Sequence, residues 1–124
     1  MSEPVVVKGD DPELRDGGEG VLANVLVDEE STGAENLGFG WISFEPGSDA
    51  GPHTREVEEF LYILSGTATI EADGESYVLE EGDSIYLPAG LEHRHVNEGD
   101  EVLEQLYFFA PPGPIDGVRE WPPV

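Results

Sequence analysis

The chain is a succession of short apolar runs cut by glycine, proline and acidic turns. Val21–Val27, Leu37–Phe44, Phe60–Leu64, Thr67–Ala72, Ser76–Leu79, Ser84–Leu87, His93–Asn97 and Val102–Phe109 each read as a strand, on their β-branched, aliphatic or aromatic content. Asp28–Asn36 reads as a polar loop, and Gly47–Pro52, Glu80–Asp83, Pro88–Gly90 and Glu98–Asp100 as turns. Asp73–Gly74 is a two-residue hairpin signal. No segment carries a convincing helical period. About ten short strands at regular spacing predict an all-β sandwich or barrel, with residues 1–124 as a single domain. The ends are less regular. Residues 1–20 form an arm whose β-prone piece is Val5–Val7, either loosely held or an edge strand for a neighbouring subunit. The tail, residues 110–124, is too rich in proline for a helix and is expected to pack extended, anchored by Trp121.

Charge changes this picture. Twenty-eight acidic residues face five basic ones, for a net charge of -23, where a small domain ordinarily carries roughly 2 to 8 in magnitude. The apolar strands argue against disorder, so the expectation is a folded protein with an acidic coat of halophilic style. Five cations make no basic patch, which excludes nucleic acid and anionic membranes as partners. No apolar run is long enough to span a bilayer. The start of the chain lacks a secretory pattern, so a cytoplasmic protein is expected. With no cysteine, disulfides, thiolate metal sites and cysteine nucleophiles are excluded.

Candidate chemistry is concentrated in two blocks. All three histidines, His53, His93 and His95, lie between Gly47 and Asn97, together with Glu59. Alternate strand residues share a face, so His93 and His95 point the same way. Glu59 has the parity of His53 if one strand runs through both. Neighbouring strands would then bring His53, Glu59 and His93 to one interior point, a donor set suited to a divalent first-row metal.

The blocks resemble the paired motifs of the cupin superfamily. The first, residues 47–66, reads Gly47-x5-His53-x-Arg55-x3-Glu59-x6-Gly66; the second, residues 82–97, reads Gly82-x5-Pro88-x-Gly90-x2-His93-x3-Asn97. The resemblance implies a double-stranded β-helix, or jelly-roll barrel, of the RmlC-like kind with a site inside its mouth. It also implies a divalent transition metal, Fe, Mn, Ni, Co or Zn. One position departs: Arg55 stands where the family has a second histidine, and a guanidinium cannot ligate a metal. Three readings stay open. The metal is held by His53, Glu59 and His93, with His95 available for the fourth place; or the site is metal-free and Arg55 binds an anion; or the site is spent and Arg55 pairs with Glu58 or Glu59.

The function these residues support is metal-assisted chemistry on a small anionic or carbonyl-bearing metabolite, of dioxygenase, isomerase, decarboxylase or lyase type. Arg55 and His95 are the candidate catalytic residues. The alternative is a non-catalytic module that binds metal or metabolite, with Arg55 as its anion-binding group. Arg94, between two inward histidines, is expected to point outward. Gln105 and Tyr107 are candidate polar pocket groups. Phe39, Trp41, Tyr62, Tyr77 and Tyr86 are expected in the core or at a subunit interface, and small cupins commonly pair, so a homodimer is the expected state.

Overall fold

A computed structural model describes residues 3–9 and 13–124; the parts of the N-terminal arm at residues 1–2 and 10–12 lie outside it. Ten strands and two short helices follow in the order β1 (Arg15–Gly18), β2 (Val21–Ala23), α1 (Glu29–Thr32), β3 (Gly38–Phe44), β4 (Asp49–Thr54), β5 (Glu58–Ser65), β6 (Ala68–Ala72), β7 (Glu75–Leu79), β8 (Ser84–Leu87), β9 (Glu92–Val96), β10 (Leu103–Ala110) and α2 (Ile115–Arg119). They make a six-stranded sheet, β1-β2-β3-β10-β5-β8, and a four-stranded sheet, β4-β9-β6-β7. All named pairs are antiparallel. The fold is the all-β jelly-roll barrel expected.

Alternation builds the core. Along β5, Glu59, Leu61 and Ile63 are buried while Glu58, Phe60, Tyr62 and Leu64 are exposed. Along β10, Leu103, Gln105, Tyr107 and Phe109 are buried. These rows meet Val21, Phe44, Ala68, Ile70, Leu79 and Leu87 in one apolar cluster. Gly40 gives Tyr107 its room: a Cβ there would collide with the tyrosine ring and with the Asn24 carbonyl, which accepts the Tyr107 hydroxyl hydrogen bond at 2.6 Å. That bond occupies Tyr107 within the fold. Asp73 and Gly74 both take positive φ, the two-residue turn that their sequence signals.

Three expectations are corrected, and one of the two readings of Val5–Val7 is described. Gly47–Pro52 is not all turn, because β4 begins at Asp49 and pairs with β9. The loop Asp28–Asn36 contains α1, whose first turn Asp28 and Ser31 cap reciprocally. The tail holds a helical turn, α2, after Pro114, since proline suits a helix start and obstructs only its interior. Val5–Val7 is in no strand and is exposed; the edge strand of the arm is β1, paired with β2 of its own chain.

The two ends fasten to each other. Asp16 N–H donates to the Pro122 carbonyl (2.8 Å) and Val124 N–H to the Leu14 carbonyl (3.1 Å). The Arg15 guanidinium donates to the carbonyls of Arg119 (2.6 Å) and Trp121 (3.1 Å). Trp121 is the anchor expected, its ring lying where a Cβ on Gly17 would stand. Arg119 in turn grips buried Asp28 with two bonds of 2.6 and 2.9 Å.

Candidate metal centre

The motif positions that carry no chemistry tie the two blocks together. Gly90 N–H donates to the Arg55 carbonyl (2.7 Å), pinning the corner between β4 and β5. Asn97, fully buried, donates to the carbonyls of Phe44 and Glu101 (2.9 Å each) and accepts from Gly99 N–H (3.0 Å). Its backbone exchanges bonds with Gly47 and Ser48, at 2.9 Å each.

The route that brings His53 to the site differs from the parity route. The chain leaves the four-stranded sheet after Thr54 and enters the six-stranded sheet at Glu58. His53 and Glu59 therefore face each other across the barrel. A bulge aims His53: Ala50 pairs with His95 and His53 with His93, three residues opposite two, so Ala50 and His53 share a face that regular alternation would separate. Gly51 permits this with φ 119°, and a Cβ there would press within 3.1 Å of the His93 carbonyl.

Glu59, His93 and His95 are all buried, and a donor atom from each lies within 4.8 Å of the other two. His53 stands beside this group, its ring centroid 6.1 Å from His93 and 6.2 Å from His95. His93 Nδ1 is 3.1 Å from the Leu91 carbonyl, which can only accept, so Nδ1 carries the proton and Nε2 presents a lone pair. That Nε2 sits 3.2 Å from Glu59 Oε1, yet the two are out of line for a hydrogen bond and both lack a partner. His95 Nε2 lies 3.8 Å from Glu59 Oε2, and its Nδ1 has no partner.

The ionisable groups shift one another, and for His93 the shift favours a proton between it and Glu59 where no cation stands. Burial pushes His95 down to about 4, so it is neutral at pH 7. Burial, then neighbouring Arg55, pushes His53 down. Burial alone would raise Glu59, but the adjacent imidazoles and Arg55 outweigh it and hold the carboxyl below its ordinary value. Burial lowers His93, but Glu59 and the Leu91 carbonyl outweigh it and raise the imidazole. Facing lone pairs on buried nitrogen and oxygen need a cation or a proton between them. The donor set, two or three imidazoles and one carboxylate, fits a divalent transition metal.

Above the cluster is a pocket of about 240 Å3 between the sheets. Phe44, Leu61 and Phe109 wall it, and Val118 and Trp121 close it from the tail. Arg55 enters from the β4–β5 corner, its guanidinium 5.6 Å from the centre of the Phe109 ring. Its Nε has no hydrogen-bond partner, and among the described residues it pairs with neither Glu58 nor Glu59. Arg94 points outward to Asp49, at 2.7 Å, as expected. Gln105 and Tyr107 do line the pocket. The roof from α2 was not readable, since a five-residue helix leaves no periodic signal.

Residues 40–109 match the cupin domain family (Cupin_2), more than half of the chain, and the chain belongs to that family. Polyketide synthase CurC of Streptomyces cyaneus is 28% identical over 111 residues, covering 89% of this chain and 70% of the relative. A predicted oxalate decarboxylase from Thermotoga maritima superposes with a TM-score of 0.76 at 26% identity, over 86% of this chain and 99% of the other. An RmlC-like cupin from Shewanella frigidimarina gives 0.76 at 23% identity, over 89% and 93%, a likeness of fold. Among the described residues no helix is long and apolar enough to cross a membrane.

Proposed function

We propose that this cupin is a metal-dependent enzyme for a small carboxylate- or carbonyl-bearing substrate. The observation that carries this reading is the unpartnered contact of Glu59 Oε1 with His93 Nε2, at 3.2 Å, beside buried His95. Glu59, His93 and His95 would hold the ion with His53 as a fourth donor, His95 taking the place of the histidine that Arg55 replaces. Bound there, Fe, Mn, Ni, Co or Zn would supply a Lewis acid that polarises a substrate oxygen. Arg55 holds the anionic end of the substrate through its free Nε–H, braced on Phe109. The relatives described as a polyketide synthase and a predicted oxalate decarboxylase support carbonyl and carboxylate chemistry.

The test is thermal unfolding of chelator-stripped protein with each metal in turn. A metal that binds only the folded state at 100 times its Kd adds about 2.7 kcal/mol, so a rise of several degrees with at least one of the five is expected. No rise with any of them would overturn the reading. Arg55 supports a second one, a metal-free pocket for an anion, which predicts a carboxylate-dependent rise in its place.

Two further features belong to this proposal. The net charge of -23 suits a salt-rich setting. The outer face of the six-stranded sheet suits a second copy of the chain. Phe39, Phe108, Phe60 and Tyr86 form one row across four strands, with stacked rings 5.0 and 4.1 Å apart. Leu37, Tyr62 and Leu64 extend the exposed surface. Two acids beside the aromatic row are already engaged: Glu58 accepts from the Tyr86 hydroxyl, and Glu104 from Trp41 Nε1 and Ser65. Tyr77 lies outside this face and is exposed on β7.

A further inference from the structure

One buried polar group in the pocket has no part in the metal reading. Gln105 is 1% exposed, lines the pocket, and its Oε1 has no hydrogen-bond partner. It lies between Ile42 and Ile63 in the sheet, with Phe44, Leu61 and Tyr107 also on the pocket wall. The Tyr107 hydroxyl is committed to the Asn24 carbonyl, so it does not satisfy the amide. A hydrogen bond to a buried side-chain amide is costly to leave unmade, and apolar residues of similar volume would fill the position without that cost.

The position of Gln105 relative to Arg55 sets a length. Arg55 lies over Phe109, and Gln105 is four residues before Phe109 on β10, about 13 Å along the strand at ~3.3 Å per residue. The pocket thus has the Arg55 guanidinium towards the Phe109 end of β10 and the Gln105 amide towards the other, with Leu61 and Tyr107 on the wall between and His53, Glu59 and His95 also lining it.

We propose that Gln105 is the specificity-determining residue of this pocket, and that it reads a hydroxyl at the end of the ligand remote from its carboxylate or carbonyl. The ligand class is a flat, mostly apolar small acid or ketone with a distal hydroxyl. A hydroxyl suits the amide in either of its two orientations, since it donates and accepts. This rests on the substrate reading above for its anionic end, and on Gln105 alone for its distal end.

A matched pair of probes tests it: 4-hydroxyphenylpyruvate and phenylpyruvate, which differ only in the distal hydroxyl. Calorimetric titration of the wild-type chain should show the hydroxylated acid binding at least tenfold tighter, because a site with an unpaired polar group discriminates against the analogue that lacks its partner. In Gln105→Leu the ratio should fall to within about twofold of unity, and Gln105→Asn, with a shorter amide, should retain part of it. Arg55→Ala should weaken both probes together and keep their ratio. Equal binding of the two acids by the wild type, a ratio unchanged in Gln105→Leu, or binding of neither acid at millimolar concentration would each overturn the proposal. Measuring metal content on the same samples separates the two readings: a hydroxyl preference without metal sinks the metal centre and leaves Gln105 standing.

Discussion

His93 Nε2 and Glu59 Oε1 face each other 3.2 Å apart with no hydrogen bond between them. Without a cation a proton must stand between the two groups, leaving a buried charged pair that the metal-free protein should tolerate less well than a neutral hydrogen bond. Glu59→Gln supplies an N–H that can donate to His93 Nε2. The stripped variant should melt above the stripped wild type by about 3–5 °C, the equivalent of about 1 kcal/mol, while losing any metal-dependent rise. A stripped Glu59→Gln protein that melts several degrees lower would place the two groups in a hydrogen bond and not around an ion.

Asp28 is held by Arg119 and by the first turn of α1, which bring its carboxyl to about 2, although burial opposes the shift. A depressed folded value means stability present above the unfolded value, near 3.8, and lost as pH falls through about 2. The pair should contribute on the order of 2 kcal/mol at neutral pH. Asp28→Asn should therefore lower the melting temperature at pH 7 and narrow its gap to the wild type between pH 4 and 2. A gap of constant size through that window would contradict this assignment.

Phe60 stands at the centre of the aromatic row on the outer sheet face. Phe60→Asp adds a charge that a second copy would have to desolvate, so sedimentation should show a dimer for the wild type and a monomer for the variant. The same oligomeric state for both would contradict the docking face.

A chain with net charge -23 repels itself, and salt shortens the reach of that repulsion from about 30 Å at 0.01 M to about 3 Å at 1 M. The melting temperature should rise steadily from low to molar salt. A flat profile would separate the acidic coat from stability.

Much of the architecture was legible because strand signals are local. The apolar run Phe60–Leu64 marked a strand, and Asp73–Gly74 marked its hairpin. The two helices were not legible, because Glu29–Thr32 and Ile115–Arg119 are too short for a period to show. At the site, spacing picked out His53, Glu59 and His93 as the donor set and left His95 as a possible fourth, whereas the structure groups Glu59, His93 and His95 most closely. It gave the wrong path for His53, since a bulge at Gly51 and a change of sheet after Thr54 are tertiary events. Gln105 had the buried parity of Leu103 and Tyr107 all along; only the structure shows that its amide is unsatisfied.

The most direct test of the metal centre is elemental analysis of purified protein, alongside His93→Ala, His95→Ala and His53→Ala. The account predicts near-stoichiometric Fe, Mn, Ni, Co or Zn in the wild type, lost in His93→Ala and His95→Ala and weakened in His53→Ala. Metal-free wild type that takes up none on reconstitution, or full occupancy in His93→Ala and His95→Ala, would contradict it.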